Sequence, residues 1–178
     1  MKYFAYGSNL LTRRLRDPAR APSAVALGVA SAPGFVMRFH KIGTDGSGKC
    51  TLIQSGDDAD EVYGVLYEFA DSDLAALDRE EGVHLGGYAR HSLRLRLLTG
   101  DTTEAMTYIA GGRYIDAACL PFDWYRDLVV AGAREHGLPP AYVEELVRTP
   151  AVPDPDTARA VSARKLLEGP FPTPPVAR

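Results

Sequence analysis

The sequence predicts an α+β domain or a small barrel of strands flanked by helices, on three observations. Strand-like segments crowd the chain up to Ala110, helical segments fill the last third, and no regular strand–helix alternation runs through it. Such alternation is what a doubly wound parallel sheet requires, so that class is set aside.

The elements follow in order. Lys2–Tyr6 (KYFAY) is short and aromatic, a buried strand. It stops at Gly7-Ser8-Asn9, after which Leu10–Arg16 suits a short helix capped by Asn9 or Ser8. Strand patterns recur near Val25–Ala30, Phe35–Ile42 and Glu61–Phe69. Asp71–Glu81 reads as a helix, with Asp71 or Ser72 as cap, Leu74 and Leu77 turned inward, and Gly82 as the stop. Tyr88–Leu98 alternates, placing Leu93, Leu95 and Leu97 on one face and Ser92, Arg94 and Arg96 on the other. A Thr99-Gly100-Asp101 turn then returns the chain into Glu104–Ala110 as a hairpin. Phe122–His136 is helical up to Gly137 and Pro139, Pro140–Val147 gives a second helix, and Asp156–Leu167 a third.

The chain of 178 residues suits one domain, placed at residues 1–168. Gly169–Arg178 carries four Pro in ten residues and reads as an extended tail. A net charge of −3 lacks the basic excess of a nucleic-acid binder. Cys50 and Cys119 make neither a disulfide framework nor a metal-spaced cluster, so a reduced, cytoplasmic setting is expected and no metal is assigned. The longest uncharged run, Ala21–Met37, is broken by Pro22, Gly28, Pro33 and Gly34 and is too short to span a bilayer. The start of the chain lacks the apolar stretch of a signal peptide. No membrane or nucleic-acid partner is expected, and the sequence leaves the oligomeric state open.

One motif is a decoy. Gly43-Thr44-Asp45-Gly46-Ser47-Gly48-Lys49-Cys50 matches seven positions of a phosphate-binding GxxxxGK[ST] loop. That loop needs a Mg²⁺-binding hydroxyl at its eighth position and a helix behind it. Here Cys50 takes that position and Thr51-Leu52-Ile53 is strand-like, so a mobile glycine-rich connection without nucleotide is expected. Ser8 lacks the GxSxG context of an activated serine. His40, His84, His91 and His136 have no triad or metal spacing, and the parity of His91 places it in the core or at a sheet edge.

Two places break local rules. Tyr6-Gly7-Ser8-Asn9-Leu10 turns abruptly from strand to helix, and consecutive N–H groups in such a turn converge on anions. An ordinary capped turn explains the same residues. Asp78-Arg79-Glu80-Glu81-Gly82 puts two carboxylates at a helix C-terminus, where the dipole disfavours them and only Arg79 offsets them locally. Solvated surface carboxylates are the plain alternative.

Together these segments resemble a known family. Lys2–Leu11 (KYFAYGSNLL), Leu77–Tyr88 (LDREEGVHLGGY) and Trp124–Tyr142 (WYRDLVVAGAREHGLPPAY) are similar, in order and spacing, to the γ-glutamylcyclotransferases. The resemblance spans roughly residues 2–150 and implies a small mixed or antiparallel β-barrel flanked by helices. It implies conversion of a small γ-glutamyl molecule to 5-oxoproline plus a free amine. On it, Tyr3, Phe4, Ala5, Tyr6, Gly7 and Ser8 match the loop that cradles substrate, Glu81 the catalytic carboxylate, and Tyr125 a substrate-contacting tyrosine. Tyr88 matches the aromatic that follows the catalytic segment. Asn9 stands where glutathione-specific relatives carry Leu, and Ser8 where the γ-glutamylamine type carries Thr. These departures favour release of an amino acid. The Gly43–Lys49 loop and the chain after Pro150 have no counterpart.

The implied chemistry suits both rule-breaking places. The substrate's α-amine attacks its own γ-carbonyl, so both reactants arrive in one molecule. The amine, with a pKa of ~8 or above, must first lose a proton, and one carboxylate can take it and return it to the leaving amine. Loop N–H groups can hold the α-carboxylate or the developing oxyanion. No cofactor is required. The alternatives are a biosynthetic cyclotransferase that removes a γ-glutamyl protecting group from a larger amine, and a binding module of the same fold without activity.

Overall fold

The computed structural model describes residues 1–57 and 59–169. Seven strands form: β1 (Lys2–Ala5), β2 (Val25–Pro33), β3 (Phe35–Ile42), β4 (Gly48–Gln54), β5 (Glu61–Glu68), β6 (Tyr88–Leu97) and β7 (Thr102–Ala110). Five of them close a barrel in the order β1-β5-β2-β6-β7. The neighbours are antiparallel, except that β7 meets β1 in parallel at Met106 and Tyr3, which makes the barrel mixed. β3 and β4 pair separately as a two-stranded ribbon. The expected α+β barrel is therefore present.

The alternation of β6 sets its faces: Leu95 is fully buried and Leu93 and Leu97 are half-buried, while Ser92, Arg94 and Arg96 face solvent. His91 shares the parity of these leucines but is exposed. β2 covers β6 only at Leu97 and Arg96, so His91 sits at an uncovered edge rather than in the core.

The helices are α1 (Thr12–Leu15), α2 (Leu74–Glu80), α3 (Asp123–Glu135), α4 (Pro140–Arg148) and α5 (Thr157–Arg164). α1 is shorter than the Leu10–Arg16 pattern predicts, because Ser8–Leu10 forms a separate 3₁₀ turn. Likewise Asp71–Asp73 is a 3₁₀ turn leading into α2, with neither Asp71 nor Ser72 capping the helix. α3 packs directly on the Ser8–Leu10 turn. A Cβ at Gly132 would lie 2.4 Å from the Leu11 nitrogen and 2.5 Å from the Leu10 carbonyl carbon, so only glycine permits this approach. Tyr67, Thr12 and His136 reinforce the same junction, the Tyr67 hydroxyl donating to the Leu10 carbonyl at 2.9 Å. The loop after β1 is thus fixed from below by β5 and from the side by α3. From residue 170 on, the expected tail lies outside the described residues.

The Gly43–Lys49 segment is the expected connection between β3 and β4, and its own hydrogen bonds tie it together. Gly43 N–H donates to the Ser47 carbonyl, Ser47 N–H to Asp45, and Gly48 N–H to the Leu120 carbonyl. Lys49 Nζ bonds Asp45 Oδ2 at 2.7 Å and Ser47 Oγ at 2.6 Å. The lysine closes its own loop, and a strand follows where a phosphate loop needs a helix.

Candidate active site

The segment after β1 and the C-terminal end of α2 converge on one narrow cleft. Seven of the nine residues singled out in the sequence line it: Tyr3, Tyr6, Gly7, Ser8, Glu81, Tyr88 and Tyr125. Phe4 and Ala5 do not. They are buried against Gly64 of β5, and strand alternation sends Tyr3 to the cleft and Phe4 the other way. Asn9, Cys50 and Tyr108 complete the lining.

Glu81 caps the end of α2 and the left-handed Gly82 (φ 65°) turns the chain away from it. Its carboxylate is 15% exposed and accepts from Asn9 Nδ2 at 2.9 Å and from Arg20 Nη1 at 3.3 Å. Arg20 also bonds Glu80 Oε2 at 3.1 Å through its other nitrogen. One guanidinium from a distant loop therefore offsets the two carboxylates that the helix dipole disfavours, a task the sequence assigned to Arg79. Asn9 is no helix cap. Its amide goes to Glu81 and to the Tyr3 hydroxyl, at 3.0 Å.

Burial raises the pKa of Tyr3, Tyr6, Tyr88, Tyr108 and Tyr125 well above the phenol range, so these rings carry neutral hydroxyls. Burial also pushes the Cys50 thiol up to about 12. The hydroxyls hold the walls together: Tyr88 donates to the Cys50 carbonyl at 2.6 Å, and Tyr125 accepts from the Cys50 N–H at 3.2 Å. Ser8 Oγ accepts from Arg14 Nε at 3.0 Å and has no histidine beside it, so it is not an activated nucleophile. Among the described residues, no hydrogen bond occupies the N–H groups of Gly7, Ser8 or Asn9.

The cleft opens through Ser8, Glu81, Tyr88 and Tyr125 into an outer cavity of about 430 Å³. Arg14, Lys41, Asp45, Lys49, Tyr114 and Trp124 line its far walls. The β3–β4 turn, Ile42 to Asp45, thus forms part of the mouth. Another cavity, of about 450 Å³, lies between β3 and α4 around His40 and Tyr142, but it contains neither Glu81 nor the loop after β1. Chemistry rather than volume marks the cleft around Glu81 as the candidate site.

The model of the AIG2-like family matches residues 61–146. The γ-glutamylcyclotransferases of mouse and human are each 36% identical to the chain over 149 residues, 81% of this chain and 76% of theirs. The chain belongs to the γ-glutamylcyclotransferase family. A solved structure named gamma-glutamyl cyclotransferase superposes with a TM-score of 0.77 at 28% identity, covering 91% of this chain and 98% of its own. A human protein known from a crystal structure gives 0.76 at 32% identity, over 84% and 88% of the two chains.

Family membership bears out the resemblance carried by the YGSN and EGV…GY segments. Nothing local marks Arg20 or Tyr108 for the cleft, and Cys50 stands out in the sequence only for the hydroxyl it lacks, whereas Asn9 has the pattern of a cap. No helix among the described residues is long and apolar enough to cross a membrane.

Proposed function

We propose that this chain is a γ-glutamylcyclotransferase that converts a γ-glutamyl amino acid or amine to 5-oxoproline and the free amine, with Glu81 as its only proton carrier. One observation carries the reading: within the cleft, Glu81 is the carboxylate among hydroxyls and a thiol that stay protonated near neutral pH. The γ-glutamyl half points into the narrow cleft, and the leaving half extends into the outer cavity.

Glu81 removes a proton from the α-ammonium, and the freed nitrogen attacks the γ-carbonyl carbon. A new C–N bond closes the five-membered ring as the carbonyl electron pair moves onto oxygen. The same carboxyl group then gives its proton to the leaving nitrogen, the old C–N bond breaks as the carbonyl re-forms, and the carboxylate passes the second proton of the ring nitrogen to the departing amine, which leaves as an ammonium. Asn9 and Arg20 hold Oε1 in place, so the carboxylate meets the amine in one orientation. The unoccupied N–H groups of Gly7, Ser8 and Asn9 hold the α-carboxylate or the oxyanion.

A product assay tests the proposal: 5-oxoproline is measured after incubation with small γ-glutamyl dipeptides and with a γ-glutamyl derivative of a bulky amine. Release from the dipeptides supports it. Release from the bulky compound alone replaces it with deprotection of a larger amine, and release from none makes the chain a binding module.

A further inference from the structure

Four cations and three carboxylates line the outer cavity: Arg14, Arg20, Lys41 and Lys49 against Asp45, Glu80 and Glu81. Their pairing is uneven. Lys49 is held by Asp45, and Arg20 bridges Glu80 and Glu81. Arg14 spends its Nε on Ser8, at the cleft side of the loop. The Lys41 ammonium has no hydrogen-bond or ion-pair partner among the described residues, although the residue is only 8% exposed. Its ammonium faces two aromatic rings, 5.0 Å from the Tyr88 centroid and 5.9 Å from that of Tyr114. Burial lowers its pKa, opposed by the charges of Glu81 and Asp45.

The backbone places it there. β3 carries one extra residue between Arg38 and Lys41, since Arg38 pairs with Thr51 and Lys41 with Lys49. Such a bulge re-aims the side chains that follow it. An ammonium partly withdrawn from water against ring faces gains from an anion beside it, and the open cavity is where one can enter.

We propose that Lys41 is the specificity-determining residue of the outer cavity, its ammonium pairing with a carboxylate on the departing amine. This rests on the reading of the chain as a γ-glutamylcyclotransferase and goes beyond it by naming the residue that reads the leaving half. Tyr88 and Tyr114 hold the ammonium in position, and an uncharged amine leaves it without a partner.

The test compares γ-glutamylalanine, γ-glutamylalaninamide and γ-glutamylethylamine, which differ in the charge and bulk of the leaving half. In the unsubstituted protein kcat/KM is expected to favour the acid by about tenfold or more, as suits a charged hydrogen bond. In Lys41→Met the ratio of acid to amide should fall to within about twofold, mainly through KM for the acid, and Lys41→Arg should restore part of it. Where Lys41→Met does not fold, Lys41→Gln carries the same comparison. Equal use of acid and amide by the unsubstituted protein overturns the proposal. So does a preference that survives in Lys41→Met, or one that vanishes in Arg14→Met instead. If none of the three compounds releases 5-oxoproline, the reading of the function falls and the proposal with it; turnover without acid preference defeats the proposal alone.

Discussion

Asn9 holds Glu81 from across the site: its amide donates to Glu81 Oε1 at 2.9 Å and, through its second hydrogen, to the Tyr3 hydroxyl at 3.0 Å. One donor of this amide fixes the carboxylate proposed to meet the substrate's amine, and the other anchors the amide itself to Tyr3. Asn9→Ala should therefore lower kcat by about ten- to a hundredfold, the range for a hydrogen bond to a charged group, with a smaller change in KM. Steady-state kinetics on a γ-glutamyl dipeptide give the answer. An unchanged kcat would mean that Arg20 alone positions the carboxylate.

Glu81→Gln keeps the shape and removes the proposed base. Its kcat should fall by ~10²–10⁴ with the fold retained, as judged by circular dichroism. Retention of more than about a tenth of the activity is incompatible with a general base at this position. Glu80→Gln removes only the 41%-exposed partner of Arg20, so a change below about fivefold is expected.

The N–H groups of Gly7, Ser8 and Asn9 predict recognition of the substrate's α-carboxylate. A dipeptide amidated at that carboxylate should lose about tenfold or more in kcat/KM. Gly7→Val should be worse than Ser8→Ala, because a Cβ at Gly7 would lie 3.0 Å from the Cys50 Cβ and push the loop away. Equal kcat/KM for the acid and its amide would remove the loop from substrate recognition.

The glycine-rich turn predicts no nucleotide binding. Lys49, which a phosphate loop would aim at its ligand, is bonded to Asp45 and Ser47 and packs 4.7 Å from the Tyr125 ring centroid. Calorimetry with ATP·Mg²⁺ and GTP·Mg²⁺ should show no saturable binding tighter than ~1 mM. Binding that disappears in Lys49→Ala would contradict this.

Asp154 predicts an acid limit to stability. Arg159 bonds both its oxygens and Trp124 Nε1 donates to Oδ2 at 2.8 Å, and these contacts lower its pKa from 3.8 to about 2. A carboxylate with a depressed folded-state pKa stabilises the protein above its ordinary pKa, and that contribution fades as pH falls from about 4 toward 2. The Tm difference between the unsubstituted protein and Asp154→Asn should be full at pH 6 and shrink across that window. A difference independent of pH would assign the effect to packing of α5 and Trp124.

The sequence by itself determined most strands and helices and two of the places that line the candidate site. Alternation of Leu93, Leu95 and Leu97, the Gly137 and Pro139 stop, and the glycine turn at Gly100 are local signals, and secondary structure obeys local periodicity. The YGSN turn and the Glu80–Glu81 helix end stood out because they break such local rules. Only the tertiary structure decided what those residues touch. Asn9 and Glu81 lie 72 residues apart in sequence and Arg20 and Glu81 61 apart, and no periodicity encodes a hydrogen bond between them. Asn9 satisfies the pattern of a helix cap, yet the packing of α3 through Gly132 and the closing of the barrel turn its amide to Glu81 instead. The same holds for Lys41. Its place in a strand was legible, but one extra residue in the β3–β4 pairing and two distant rings, Tyr88 at the start of β6 and Tyr114 in a 3₁₀ turn, set its ammonium at the mouth of the candidate site. Local chemistry fixes the conformation of a segment, while the partner of a buried charge depends on which distant segments the core draws together.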